Sequence, residues 1–261
     1  MQFSEVLASM TRDGDTWSAT VPDSWLQGRS LFGGLQSAMA LRAMRALVPE
    51  SVPLRVLQTT FVAPVPAGPV RVRGRILRTG KNAVHAEARV VNGDTDACLV
   101  VAVFGSSRSS RVVVTPTQRA VKPRPTIELP FIPGVTPNFG QHFSMRWLEG
   151  GLPYTGMTEP GAVVQVGLRD SGPVREEHVL AIADSVPPMA LSMLDTPAAG
   201  SSLTWTFELL TTDLAQLPLE GYRLDCELVA GRDGYTSQSV MVWGPGAEPV
   251  ALSRQSMVVF G

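Results

Sequence analysis

Charge is scarce in this chain. Asp, Glu, Lys and Arg make up 17% of its 261 residues, against 44% hydrophobic residues. That balance excludes disorder over most of the length and predicts a large core, in one big domain or two medium ones. The formal net charge is −1, so no general attraction to nucleic acid or to an anionic membrane is expected. No apolar run approaches the ~20 residues of a membrane span. The first fifteen residues lack a basic stretch followed by an apolar one, so no signal peptide is expected, and the cytoplasm is the expected compartment. The two cysteines, Cys98 and Cys226, lie far apart in apolar alternating runs and read as small core residues of a reducing compartment.

Catalytic signatures are scarce too. No Gly-x-Ser-x-Gly elbow occurs, and neither His142 nor His178 has a suitable serine context. The three histidines, His85, His142 and His178, are not at metal-ligand spacing, so no metal is expected. No phosphate-binding glycine loop or dinucleotide fingerprint is present, and no cofactor is expected.

What is present is a pattern of helix and strands. Leu31-Phe32-Gly33-Gly34 opens an apolar helical run through Val48, ended by Pro49. Four strands follow: Leu54 to Val62, Val70 to Leu77, Ala83 to Val91 and Ala97 to Phe104. Their period of two, clearest in Val70, Val72 and Ile76 against Arg71, Arg73 and Arg75, marks half-buried antiparallel strands. Residues 106–138, rich in Ser, Arg and Pro, read as a surface linker. Its cations (Arg108, Arg111, Arg119, Lys122, Arg124) could meet phosphates or form a plain solvated face.

The pattern then recurs. Val163 to Leu168 reads as a strand, and His178 to Leu194 as one helix that is apolar nearly all round and therefore buried. Ser201 to Leu210, Tyr222 to Ala230, Tyr235 to Trp243 and Val250 to Phe260 read as four strands. Thr60-Phe61 matches Thr206-Phe207 after each helix, and each half closes on Phe-Gly, at Phe104-Gly105 and Phe260-Gly261. The halves read as two copies of one helix wrapped by one antiparallel sheet, with boundaries at 1–105, 106–138 and 139–261.

One carboxylate, Asp184, sits in the middle of the second helix with no Lys or Arg within two turns. A buried charge costs several kcal/mol unless something pairs with it or uses it, which makes Asp184 the first candidate for chemistry. The competing reading is a cap where the helix breaks at Pro187-Pro188. Aligned on Phe-Gly, Gln255 falls opposite Leu99; aligned on Thr-Phe, Ser202 falls opposite Val56. Polar groups have thus collected in the second copy where the first is apolar.

Phe32-Gly33-Gly34, Val62-Ala63-Pro64, Ala183-Asp184, Ser201-Ser202-Leu203 and Ser253-Arg254-Gln255, in that order, resemble the type II acyl-CoA thioesterase family over nearly the whole chain. The resemblance implies an α+β double hotdog: two tandem units, each a long helix wrapped by an antiparallel sheet. It implies hydrolysis of acyl-CoA by a water held by Asp184, Ser202 and Gln255. Ser202 stands where the family often has Thr, and Thr204-Trp205-Thr206 where Asp-His-Ser often follows. Gly33 and Gly34 are expected to bind substrate through free N–H groups at the helix start, or else to serve a tight turn and close helix packing. Met39, Met44, Met189 and Met193 either line an acyl path or fill the core. Homo-oligomers, most simply dimers, would cover the sheet edges. The alternatives are a binding module for acyl-CoA or lipid without turnover and an enoyl-thioester hydratase or dehydratase, for which His178 lies six residues from Asp184, on another side of the helix.

Overall fold

The computed structural model describes residues 1–260. In chain order the first half holds α1 (Phe3–Ala8), β1 (Thr11–Asp13), β2 (Thr16–Val21), β3 (Leu26–Gln27), β4 (Ser30–Leu31), α2 (Gly33–Arg45), β5 (Leu54–Phe61), β6 (Gly68–Thr79), β7 (Ala83–Asn92) and β8 (Thr95–Gly105). The second holds β9 (Ile127–Glu128), β10 (Phe143–Gly150), β11 (Gly161–Leu168), α3 (Glu176–Ala183), β12 (Gly200–Leu209), β13 (Tyr222–Arg232), β14 (Tyr235–Trp243) and β15 (Pro249–Val259). Thirteen strands make one sheet in the order β1-β2-β6-β7-β8-β5-β12-β15-β14-β13-β11-β10-β9. Every pairing is antiparallel, and the halves join where β5 lies beside β12. No helix is long and apolar enough to cross a membrane among the described residues.

All eight strands expected after the two helices are present, and the α+β architecture holds. The helices are shorter than expected. α2 spans 13 residues and α3 only 8. The run from His178 to Leu194 is not one helix: α3 ends at Ala183, and a separate 3-10 turn covers Met189–Met193. Pro187 pushes the residue before it out of helical conformation, and neither Pro187 nor Pro188 can donate to a preceding turn. The Ser185 hydroxyl takes the Ile182 carbonyl at 2.7 Å and closes the end. Asp184 is therefore the C-cap residue of α3, not a mid-helix one.

The helices run antiparallel. Ala181 Cα would lie 3.1 Å from a Cβ on Gly34, near the start of α2, whereas Arg45 at the end of α2 pairs with Glu176 at the start of α3. A single apolar core from both halves surrounds them. α2 is enclosed so fully that even Gln36 and Ser37 are buried. Gln36 Nε2 donates to the Leu31 carbonyl at 2.6 Å, and the Ser37 and Thr59 hydroxyls bond at 3.0 Å.

The register corrects the repeat. Phe104 is 0% exposed and Phe260 63%; with a side-chain period of two, they occupy opposite faces and are not equivalent. The Thr-Phe alignment keeps the faces in step. Thr59 pairs with Val100 as Trp205 pairs with Gln255, so Gln255 corresponds to buried Val100, not Leu99. Leu203 is the extra residue of a bulge in β12, which places Ser202 opposite Met257. The equivalent position in the first half is Leu57, opposite Ala102, not Val56. Both replacements remain polar for apolar.

Candidate active site

Four inward-facing residues form a row across the strands at the junction of the halves: Thr59 on β5, Trp205 on β12, Gln255 on β15 and Gln238 on β14. All four are buried. Ser202 and Trp205 are three residues apart, so in a regular strand they would face opposite sides. The bulge at Leu203 turns both toward the helices. The structure thereby brings Asp184, Ser202 and Gln255 together, although they lie on three different elements. Gln255 Nε2 donates to Asp184 Oδ1 at 2.5 Å, and the Ser202 hydroxyl donates to Gln255 Oε1 at 3.1 Å. The amide is a relay, donating to the acid and accepting from the hydroxyl.

The first half supplies the other wall. A Cβ on Gly33 would lie 2.8 Å from Asp184 Oδ2 and 2.9 Å from the Phe61 ring. A Cβ on Gly34 would meet the Phe32 ring at 2.6 Å. Neither position has room for a side chain, so close approach explains both glycines. The Gly34 N–H lies near enough to the Asp184 carboxylate to pull its pKa down; one of the two amides expected to meet substrate is thus close to the acid itself.

Electrostatics at Asp184 oppose one another. Burial pushes its carboxyl up to about 7, while the Gln255 amide and the Gly34 N–H pull it down. The C-terminus of α3 disfavours the anion and the N-terminus of α2 favours it. The result is a carboxyl that titrates near neutrality, the range in which a general base works best.

The remaining candidates are placed elsewhere. Met39 and Met44 are fully enclosed, Met189 nearly so, and Met193 is exposed. His178 sits at the start of α3, its Nδ1 accepting from the Arg175 N–H at 2.9 Å and its Nε2 facing Ser4 Oγ at 2.9 Å and Asp170 Oδ2 at 3.4 Å. This looks like a Ser-His-Asp relay, but serine and aspartate share one ring nitrogen. That nitrogen is the protonated one, so the ring cannot take a proton from Ser4. It ties α1 to α3 and is remote from Asp184. His142 stacks on Trp25 at 3.9 Å. Of the linker cations, Arg119 pairs with Glu149 at 2.9 Å and holds that carboxyl down at about 2. Both cysteines are buried and free.

Two residues of the site escaped sequence reasoning. Gln238 is 2% exposed and accepts the Met189 N–H at 2.8 Å, pinning the segment that follows Asp184. Its place opposite Gln255 in the register was the available signal. Phe61, packed at Gly33, was visible only as a repeat marker.

Two helices enclosed by one antiparallel sheet make this a protein of hotdog class, and solved structures share the fold. The chain is similar to a conserved protein of unknown function with hot dog fold from Alicyclobacillus acidocaldarius (TM-score 0.87, 18% identity, 99% of this chain and 98% of that one). It is similar to the acyl-CoA thioesterase II TesB2 from Mycobacterium marinum (TM-score 0.76, 16% identity, 100% and 97%). A tesB protein from Mycobacterium avium subs paratuberculosis matches at TM-score 0.79 and 15% identity, with 100% of each chain covered. At these identities the likeness is one of fold. No curated protein sequence matches the chain. The chain belongs to the acyl-CoA thioesterase family: the family model of the N-terminal domain matches residues 21–105 and that of the C-terminal domain residues 118–259. It is accordingly a thioesterase, an enzyme that hydrolyses acyl-CoA.

Proposed function

We propose that Asp184, Ser202 and Gln255 hold the water that attacks the acyl-CoA thioester. The supporting observation is the continuous hydrogen-bond chain Ser202–Gln255–Asp184 beneath the start of α2. In this reading the water gives one hydrogen bond to Asp184 Oδ2 and one to Ser202 Oγ, and accepts one from the second N–H of Gln255. One lone pair is left, aimed at the thioester carbon. As the C–O bond forms, Asp184 takes the proton. The Gly33 N–H, which has no intrahelical partner at that position, stabilises the developing oxyanion. Collapse breaks the C–S bond, and the proton on Asp184 passes to the departing thiolate. The units are 1–105 and 139–261 with 106–138 between them. The water-holding groups all come from the second, and the helix N-terminus from the first.

The test is thiol release by the purified enzyme over a range of acyl-CoA chain lengths, with bound ligand followed by mass spectrometry. Turnover that depends on all three side chains is the expected result. Tight binding without thiol release would replace this mechanism with simple acyl-CoA binding.

A further inference from the structure

The antiparallel helices create two equivalent positions, one at each end, where the start of one helix meets the finish of the other. At one end Asp184 meets the start of α2. At the other, about 18 Å away along α2, Arg45 meets the start of α3. Arg45 Nε and Nη2 grip the two Glu176 oxygens at 3.0 and 2.6 Å, Nη1 donates to the Val52 carbonyl at 2.8 Å, and the guanidinium covers the Phe104 ring at 4.5 Å. Glu176 also accepts the Leu54 N–H at 2.7 Å. An ion pair thus fills the place that the acid occupies at the first end.

Beside this ion pair lies a cavity of about 640 Å³ with Trp17, Arg42, Arg175, Glu177, Leu209 and Leu214 in its wall. That is the size of a small-molecule site. Its chemistry is two-sided. Leu209 and Leu214 are buried apolar residues and Trp17 is half-buried. Among the described residues neither Arg42 nor Arg175 forms a salt bridge, and the carboxyl of Glu177, a residue 5% exposed, meets its own backbone N–H and the field of Arg42. Glu177 also lines a second, adjoining cavity of about 250 Å³, where it again stands with Arg42 and Arg175. Burial raises its carboxyl, against the opposing pull of its own backbone N–H and of Arg42. With Arg45 already committed to Glu176, the wall is left with two free guanidiniums beside the carboxyls of Glu50 and Glu177. Arg42 and Arg175 are the two guanidiniums left to meet a single incoming carboxylate, whereas a cluster of phosphates would also meet the carboxyls of Glu50 and Glu177.

We infer that this cavity is a second ligand site, taking an amphipathic monocarboxylic acid with its carboxylate at Arg42 and Arg175 and its chain along Trp17, Leu209 and Leu214. That the acid is the enzyme's own product rests on the hydrolase activity; the site itself does not.

The probe is 12-bromododecanoate, whose bromine quenches a tryptophan it touches. Four of the five tryptophans are buried, and Trp17 is the one at this cavity. The expected results are saturable quenching that is lost in Trp17→Phe, dodecanoate affinity at least tenfold weaker in Arg42→Met, and dodecanol binding at least tenfold weaker than dodecanoate. Both variants are expected to release thiol from acyl-CoA at the wild-type rate. Quenching that survives Trp17→Phe would put the acid beside one of the other tryptophans and overturn the inference, as would equal binding of acid and alcohol. Hydrolysis falling together with binding would make the cavity part of the reaction site and overturn a separate one. If Arg42→Met fails to fold, the Trp17→Phe and dodecanol results decide alone.

Discussion

Replacing Asp184 by Asn should make the protein a poorer catalyst and a more stable fold. Asn keeps the volume and can still accept from Gln255 Nε2, so the site stays packed while the base is lost. Removal of a positioned base costs roughly 10²–10⁴ in rate. The stability effect follows from the carboxyl, raised from 3.8 to about 7 by burial. In the unfolded chain Asp184 loses its proton near 3.8; in the native protein it keeps it to about 7. Between those values the native state binds the extra proton, so rising pH favours unfolding. Below 3.8 wild type and variant carry the same charge and should be equally stable. Above 7 the wild type bears the whole cost, about 4 kcal/mol at 1.36 kcal/mol per pH unit, which relaxation and water penetration around the ionised group bring toward about 2 kcal/mol. For a chain of this size that is a gain of roughly 4–8 °C in melting temperature for Asp184→Asn at pH 8, shrinking to nothing near pH 3.5. The assays are thiol release and thermal melts from pH 3.5 to 8.5. The wild-type kcat/KM should rise with pH and level off above about 7, because only the carboxylate accepts a proton. Hydrolysis near the wild-type rate, or equal melting temperatures at pH 8, would refute the reasoning.

Ser202→Thr keeps the hydroxyl that donates to Gln255 and should hydrolyse acyl-CoA near the wild-type rate, whereas Ser202→Ala, losing about 1 kcal/mol of hydrogen bonding, should be slower by about fivefold in kcat. Gly33→Ala would place a Cβ 2.8 Å from Asp184 Oδ2 and 2.9 Å from the Phe61 ring; thiol release should fall at least tenfold, and the overpacking should lower the melting temperature by an amount matching about 1–3 kcal/mol. Gln238→Leu leaves the Met189 N–H buried and unpaired, at a cost of about 1–3 kcal/mol read from denaturant unfolding, and should lower kcat by loosening the segment after Asp184.

The strands were legible because the sheet is wet on one face. β6, β7 and β12 to β15 show a period of two in sequence as they do in burial. β10 went unread because its alternation breaks at the register shift between Trp147 and Glu149. Enclosure of α3 was legible in composition, but its end was not, since apolar residues continue past Ala183 while only Pro187 and Pro188 signal the break. Asp184 could be picked out because a carboxylate among apolar residues is costly wherever it stands. Its contact with Gln255 needed the sheet, which carries β15 next to β12 and beneath the helices. The one-residue slip of the Phe-Gly alignment shows the weak point: terminal identities do not carry register, whereas inward parity does.

Two identical subunits sharing this architecture would be forced to change both ends at once. A mutation that planted Arg45 across from Glu176 would appear beside each acid, and one that planted Asp184 would appear beside each arginine. Because β5 and β12 join the copies within a single polypeptide, each end drifts under its own selection, and the chain can spend one on bond breaking and the other on holding itself together.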